Sequence, residues 1–245
     1  MGKFRLAFVL LFYFAAVSAQ PLKVTIDSIS SNDSNSLKRK YTISYHIKNN
    51  TSQPISFFLH PNTLIANAAS SMTLFAVYKI YQNGILQDMD GPFFEREFPE
   101  MEQLEQFGNY NSPEAKALIK KTNEKHKAEH VAMLENYHKN GGTNPDEKWI
   151  IRNQKLLQSK MTLQPGETKS LTIHSNWDRI RTVNNGDIEY YLNEKDHFEF
   201  ELILDLKKTL FKDELSETEF TQIKKDPNFI EGIFASNKMD INFGE

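Results

Sequence analysis

Between His197 and Leu206 the chain alternates residue by residue: Phe198, Phe200, Leu202, Leu204 and Leu206 share one parity, while His197, Glu199, Glu201 and Asp205 share the other. Successive side chains of an extended backbone point to opposite faces, so this rhythm gives a strand with one apolar and one wet face. Tyr41, Ile43, Tyr45 and Ile47 against Thr42, Ser44, His46 and Lys48 repeat it. Strands of this kind are stable only when their apolar faces meet across layers, so the chain must be organised around facing sheets.

Further strands follow the same logic. Leu22, Val24 and Ile26 predict an opening strand, and Met239, Ile241 and Phe243 a closing one. Asn49 to Pro54 is turn chemistry before a short strand at Ile55 to Leu59, and Met72 to Tyr81, apolar on both faces, belongs in a sheet centre. Met161 and Leu163 lead into Gln164-Pro165-Gly166-Glu167, a type II turn in which Pro presets φ and Gly supplies a positive φ. Leu171 and Ile173 lead out of it, which predicts a hairpin.

Between about 94 and 160 the period becomes helical. Ser112-Pro113-Glu114 supplies an N-cap, a proline at the first helical position and an acid in the first turn, and Asn140-Gly141-Gly142 is a stop. A second helix starts at Asn144-Pro145-Asp146-Glu147, with Trp149, Ile150, Leu156 and Leu157 on one face, and a shorter one with Met101, Leu104 and Phe107 follows Pro99. Ser216-Glu217-Thr218-Glu219 is a capping box ahead of a helix ended by Asp226-Pro227.

Seven or eight short strands without regular helical crossovers predict an antiparallel sandwich. On its alternating strands, its Leu163 to Glu167 turn and its final strand, the chain resembles the immunoglobulin-like β-sandwich modules of exported bacterial proteins. That resemblance is one of architecture, and it lacks the paired cysteines of antibody-type domains. The expected fold is mainly β with an α insertion. A single domain over 20–245 is interrupted by a helical hairpin insertion at about 94–160.

At the N-terminus, Lys3 and Arg5 precede an apolar run from Leu6 to Val17 and then Ser18-Ala19. This is the anatomy of a signal peptide over 1–19, cut after Ala19, and the run is too short to span a bilayer. The expected location is secreted or periplasmic, with no membrane span after cleavage. The 226 residues that follow carry 27 Lys+Arg against 32 Asp+Glu, a net charge of −5, which disfavours nucleic acid as a partner. With no cysteine, disulfides and thiolate chemistry are excluded, and 18 Phe and 9 Tyr supply a core without them. Asn32, Asn49 and Asn50 each begin an N-x-Ser/Thr triplet, which in a glycosylating host marks an acceptor.

Little in the chain speaks of chemistry. His126-Lys127-Ala128-Glu129-His130 matches the H-x-x-E-H pattern of inverted zinc peptidases: His126 and His130 fall one turn apart on one helix face and Glu129 stands beside them as a base. A third ligand is required, and the neighbouring residues are those of a solvated helix. Asp88, Asp90, Gly91 and Glu97 sit at calcium-loop positions, but Leu86 stands where the first ligand belongs. Glu199 and Glu201 share a strand face, there is no G-x-S-x-G elbow, and no phosphate-cradling glycine loop occurs. Trp177, Tyr190 and Tyr191 are candidates for a glycan- or peptide-binding platform. The expectation is a non-catalytic exported binding or structural module without a cofactor, with the helical hairpin as its recognition element and another envelope or extracellular protein, or a glycan, as partner. The alternatives are a zinc-dependent hydrolase at His126, Glu129 and His130, and a glycan-binding module at Trp177, Tyr190 and Tyr191.

Overall fold

The computed structural model describes residues 20–32, 38–67, 74–87, 93–94, 104, 107–178 and 196–241. Among them are β1 Leu22–Asn32, β2 Lys38–Asn49, β3 Ile55–Phe58, β4 His60–Ala66, β5 Phe75–Gln82, β6 Ile85–Gln87 and β7 Phe93–Phe94. Then follow α1 Pro113–Lys139, α2 Glu147–Gln158, β8 Lys160–Leu163, β9 Thr168–Asp178 and β10 Phe198–Leu206. A single turn of 3₁₀-helix at Thr209–Phe211, α3 Glu217–Lys225, β11 Gly232–Ala235 and β12 Met239–Ile241 complete the chain. The expected signal at 1–19, Met101, and the calcium-loop positions Asp88, Asp90, Gly91 and Glu97 lie outside the described residues.

The protein is mainly β. One sheet runs β1-β2-β9-β7 and the other β11-β10-β5-β4, with β12 on β10 and β6 on β5. The alternation read in the sequence orients both. Leu22, Val24, Ile26, Tyr41, Ile43, Tyr45 and Ile47 from the first sheet join Tyr78, Phe200, Leu202 and Leu204 from the second in one buried cluster. Tyr78 and Phe200, neighbours across β5 and β10, stack with ring centroids 5.6 Å apart. The Tyr45 hydroxyl, driven upward in pKa by burial, donates to the Pro61 carbonyl at 3.2 Å.

Pairing departs from expectation in three places. Met161–Leu163 and Leu171–Ile173 do not form a hairpin: β8 pairs with β3 as a separate two-stranded sheet, while β9 pairs with β2. The turn itself exists, with Gly166 at φ 72° and Glu167 N donating to Gln164 O at 2.9 Å. Asn49 takes over the backbone groups at its base. Its amide donates to Glu167 O, its carbonyl accepts from Gly166 N, and its side-chain Nδ2 donates to Leu163 O and Gln164 O. A hairpin ladder has nothing left to bond there, so the two strands diverge. Secondly, β4 and β5 run parallel, so the sheets are not uniformly antiparallel. Thirdly, strands β4, β6, β7 and β11 bring the number to twelve among the described residues, more than the sequence rhythm announces because each is short or shielded on both faces.

The edge of the first sheet is closed by a side chain. Ile26 N donates to Asn237 Oδ1 at 2.8 Å and Asn237 Nδ2 donates to Ile26 O at 3.3 Å, so a carboxamide stands in for a neighbouring peptide beside the β1 bulge. Asn237→Ala should cost about 1–2 kcal/mol, since it strips both partners from a part-buried peptide. Urea unfolding of the variant checks this, and an unchanged midpoint would show that water replaces the amide at no cost.

A second apolar cluster lies beside the first. Phe58, Leu156, Phe211, Leu215, Ile223 and Phe229 bury one another, with Leu74, Leu157 and Phe220 at the margin. Strand β3 is the seam, because Ile55 and Phe57 face the large cluster and Phe58 faces the small one. Helix α2 sends Ile150, Asn153 and Leu156 inward. Asn153 Nδ2 donates to Glu214 O at 2.9 Å and to Glu219 Oε2 at 3.0 Å. That oxygen also completes the Ser216 capping box of α3, so α2 and α3 are cross-linked through a buried amide.

Candidate functional site

Helix α1 starts and stops where its punctuation says. Ser112 Oγ accepts from Ala115 N at 3.1 Å, Pro113 opens the helix, and Gly141 at φ 86° follows its end. The chain then wraps Tyr137: a Cβ at Gly142 would lie 2.4 Å from its ring, and Asn144 N donates to its hydroxyl at 3.2 Å. Tyr137 meets Trp149 of α2 edge-on at 6.1 Å, and Trp149 Nε1 donates to Asp213 O at 2.7 Å. The helix is therefore held at both ends, by Ala115 at one and Tyr137 at the other.

Between those ends it is mostly wet. Of its 27 residues only Ala115 is buried. Leu118, Thr122, His126, His130, Met133 and Tyr137, spaced three and four apart, are half-buried and mark the inner side. Ile119 and Val131 are exposed apolar residues of the same helix, at 37% and 44%. A helix of 27 residues is about 40 Å long and one of 12 about 18 Å, so α2 accompanies less than half of α1. The two members of the helical hairpin thus differ in kind: α2 is core and α1 is surface.

The H-x-x-E-H residues lie on α1 in the helical geometry their spacing implies. His126 and His130 are half-buried on the inner stripe and Glu129 is exposed. Among the described residues, no group of three or more His, Asp or Glu side chains is arranged to hold a metal ion. The pair thus has no third ligand among them.

The outer face of the second sheet gathers ionisable groups that sequence reasoning saw only as paired carboxylates. Glu199 and Glu201 stand opposite Tyr81 and Lys79 across β10 and β5. The Tyr81 hydroxyl donates to Glu201 Oε2 at 2.7 Å, and burial, reinforced by that hydrogen bond and both carboxylates, pushes its pKa up to about 12. Lys238 Nζ lies 3.4 Å over the Tyr81 ring and 3.5 Å from Glu199 Oε2. Glu199, Glu201 and Lys238 each have a partner here, so the group staples β5, β10 and the chain entering β12 together. Two histidines are satisfied similarly: His46 Nδ1 is 2.8 Å from Asp27 and His197 Nε2 is 3.0 Å from Asp240. His60 stacks on Phe75 at 5.5 Å, and burial, with Lys155 nearby, lowers its pKa. Glu199 and Tyr81 meet only through register, a long-range property that no local motif carries.

For the aromatic platform, the Trp177 backbone pairs with Arg39 and Phe93 near the end of β9, while its side chain, Tyr190 and Tyr191 lie outside the described residues. No helix among the described residues is long and apolar enough to cross a membrane. No family model, curated protein or solved structure matches this chain.

Proposed function

We propose that this chain is an exported, non-catalytic binding module in which an immunoglobulin-like scaffold presents the outer surface of α1 as its recognition element. Export rests on the Lys3 to Ala19 signal anatomy, with secretion or the periplasm as destination. The scaffold reading rests on two sheets sharing one core, and the recognition reading on a single observation: a 27-residue helix buries one residue. A helix polar nearly all round contributes little hydrophobic stabilisation, so its length has to be accounted for by what it meets outside the fold.

Deletion of Ser112 to Lys160 cannot separate display from core, because it removes Ile150, Asn153 and Leu156 with α1. Surface substitution can. Replacing Ile119, Asn123 and Val131 together by Ala keeps helix propensity and touches no buried side chain. The triple variant should melt within about 2 °C of the parent, as surface changes do. In a cross-linked envelope extract it should lose a partner that the parent retains, identified by mass spectrometry. An identical set of captured molecules would end the recognition reading, and a large loss of stability would assign the outer surface of α1 to folding instead.

A further inference from the structure

The charge of this chain is unevenly spread. The stretch from Lys116 to Lys127 holds five Lys and one Glu, a net of +4, which leaves the remainder of the chain from Gln20 onward with 22 Lys+Arg against 31 Asp+Glu, a net of −9. At about 100° per helical residue, Lys116, Lys120 and Lys127 fall within about 40° of one another and extend along about 16 Å of α1. With Ile119, Asn123 and Glu124 they line an open groove of about 370 Å³. Lys116 and Lys127 have no ion-pair partner among the described residues, and Lys120 pairs only with Glu124, at 3.9 Å and well exposed. An exposed pair of this kind contributes little, so three ammonium groups in a row remain available.

We propose that this lysine stripe binds an acidic polysaccharide, a linear glycan bearing carboxylate or sulfate groups. The proposal rests on the reading of α1 as the recognition surface and adds the chemistry of what it recognises. Three cations in a straight line match a polymer that repeats its charge along one direction, and lysine, a compact hydrated charge, suits exposed contacts with hydrated anions. Asn123 lies in the same row and offers both a donor and an acceptor to sugar hydroxyls, and Ile119 gives an apolar surface to a ring face. A protein interface of comparable affinity would draw on an aromatic or apolar centre, which the stripe lacks. An anionic bilayer would require a broad apolar face to insert, and Ile119 alone does not make one. The net −9 elsewhere repels bulky polyanions and favours a thin single chain as the polymer able to approach α1.

The test uses the chain from Gln20 onward with polygalacturonate and dextran sulfate as probes and neutral dextran as control, titrated at low and moderate salt. At least one acidic polymer should bind, neutral dextran should not, and affinity should fall with salt. Two double variants remove equal charge. K116Q/K127Q takes two members of the stripe, whereas K121Q/K139Q takes two lysines about 120° around the helix. The first should weaken binding at least tenfold and flatten the dependence of log affinity on log salt by roughly two units, one per lost contact. The second should change affinity less than threefold, and both should keep the parent's circular dichroism. Equal losses in the two variants, or no binding of either polymer at low salt, would overturn the proposal. If the polymers fail while the Ile119/Asn123/Val131 triple variant still loses a partner from the extract, α1 remains the recognition surface and only its acidic-glycan ligand is wrong.

Discussion

Asn49→Ala should lower stability by about 3 kcal/mol, one of the largest single-residue effects expected in this chain outside the apolar core. Asn49 is fully buried, and its side chain serves four backbone groups. Nδ2 donates to Gln53 O at 2.8 Å, Leu163 O at 3.1 Å and Gln164 O at 3.0 Å, while Oδ1 accepts from Thr51 N and Thr51 Oγ1, both at 2.8 Å. Truncation leaves Thr51 N and Leu163 O without this partner in a largely buried site and strips one of two donors from Gln53 O and Gln164 O, which keep Thr51 Oγ1 at 2.7 Å and Glu167 N at 2.9 Å. The fully stripped groups cost about 1 kcal/mol or more each and the others less. Asn49→Asp separates hydrogen bonding from packing. The shape is retained, but an oxygen replaces the donor and faces carbonyl oxygens, so the Asp variant should be no more stable than Ala at neutral pH. Urea midpoints decide it; an Asp variant as stable as the parent would show that the amide donor does nothing. The same burial bears on the glycosylation triplets, since a glycan on Asn49 Nδ2 is incompatible with this fold, whereas Asn50 is exposed.

Phe58→Ala should cost a similar amount, about 4 kcal/mol, through lost burial and the cavity left behind. Its signature should differ. Phe58 holds Phe211 of the 3₁₀ turn edge-on at 5.2 Å and Phe229, beyond α3, at 5.0 Å, and Leu156 of α2 and Ile223 of α3 belong to the same cluster. Phe57, one residue earlier, is buried in the large cluster instead. Phe57→Ala should therefore depress the whole transition, whereas Phe58→Ala should let the helical layer loosen first. Trp149, whose ring sits between Tyr137 and the Asp213 carbonyl, reports on that layer. In Phe58→Ala its fluorescence should change at lower urea than the β-sheet circular dichroism, and in Phe57→Ala the two should coincide. Coincident transitions in both variants would mean that the two clusters unfold as one unit.

Much of the candidate site was legible in the residues, and what was not has a specific cause. Ser112 and Asn140-Gly141-Gly142 bracketed α1 correctly because caps act within one turn of chain. Its solvation was equally plain from the five lysines of Lys116 to Lys127. The different natures of α1 and α2 were not, because Leu156 gives the same helical pattern whether it meets a neighbouring helix or the cluster of Phe58 and Phe229. The Tyr81–Glu201 bond and the Asn153 bridge to α3 join residues 120 and 66 positions apart, and no spacing within a motif encodes them.

What the sequence determined by itself is local: which residues of Tyr41 to Ile47 and Phe198 to Leu206 turn inward, where α1 and α3 start and stop and where α2 starts, and that a Pro165-Gly166 turn exists. Tertiary structure alone decided which strands share a sheet, that β8 leaves its hairpin partner for β3, and that α2 belongs to the core. Side-chain direction follows from the two-residue repeat of the backbone, which any segment carries within itself. Strand partnership is a contest among distant segments for the same peptide groups, and at the Gln164–Glu167 turn a single buried amide, Asn49, settles it.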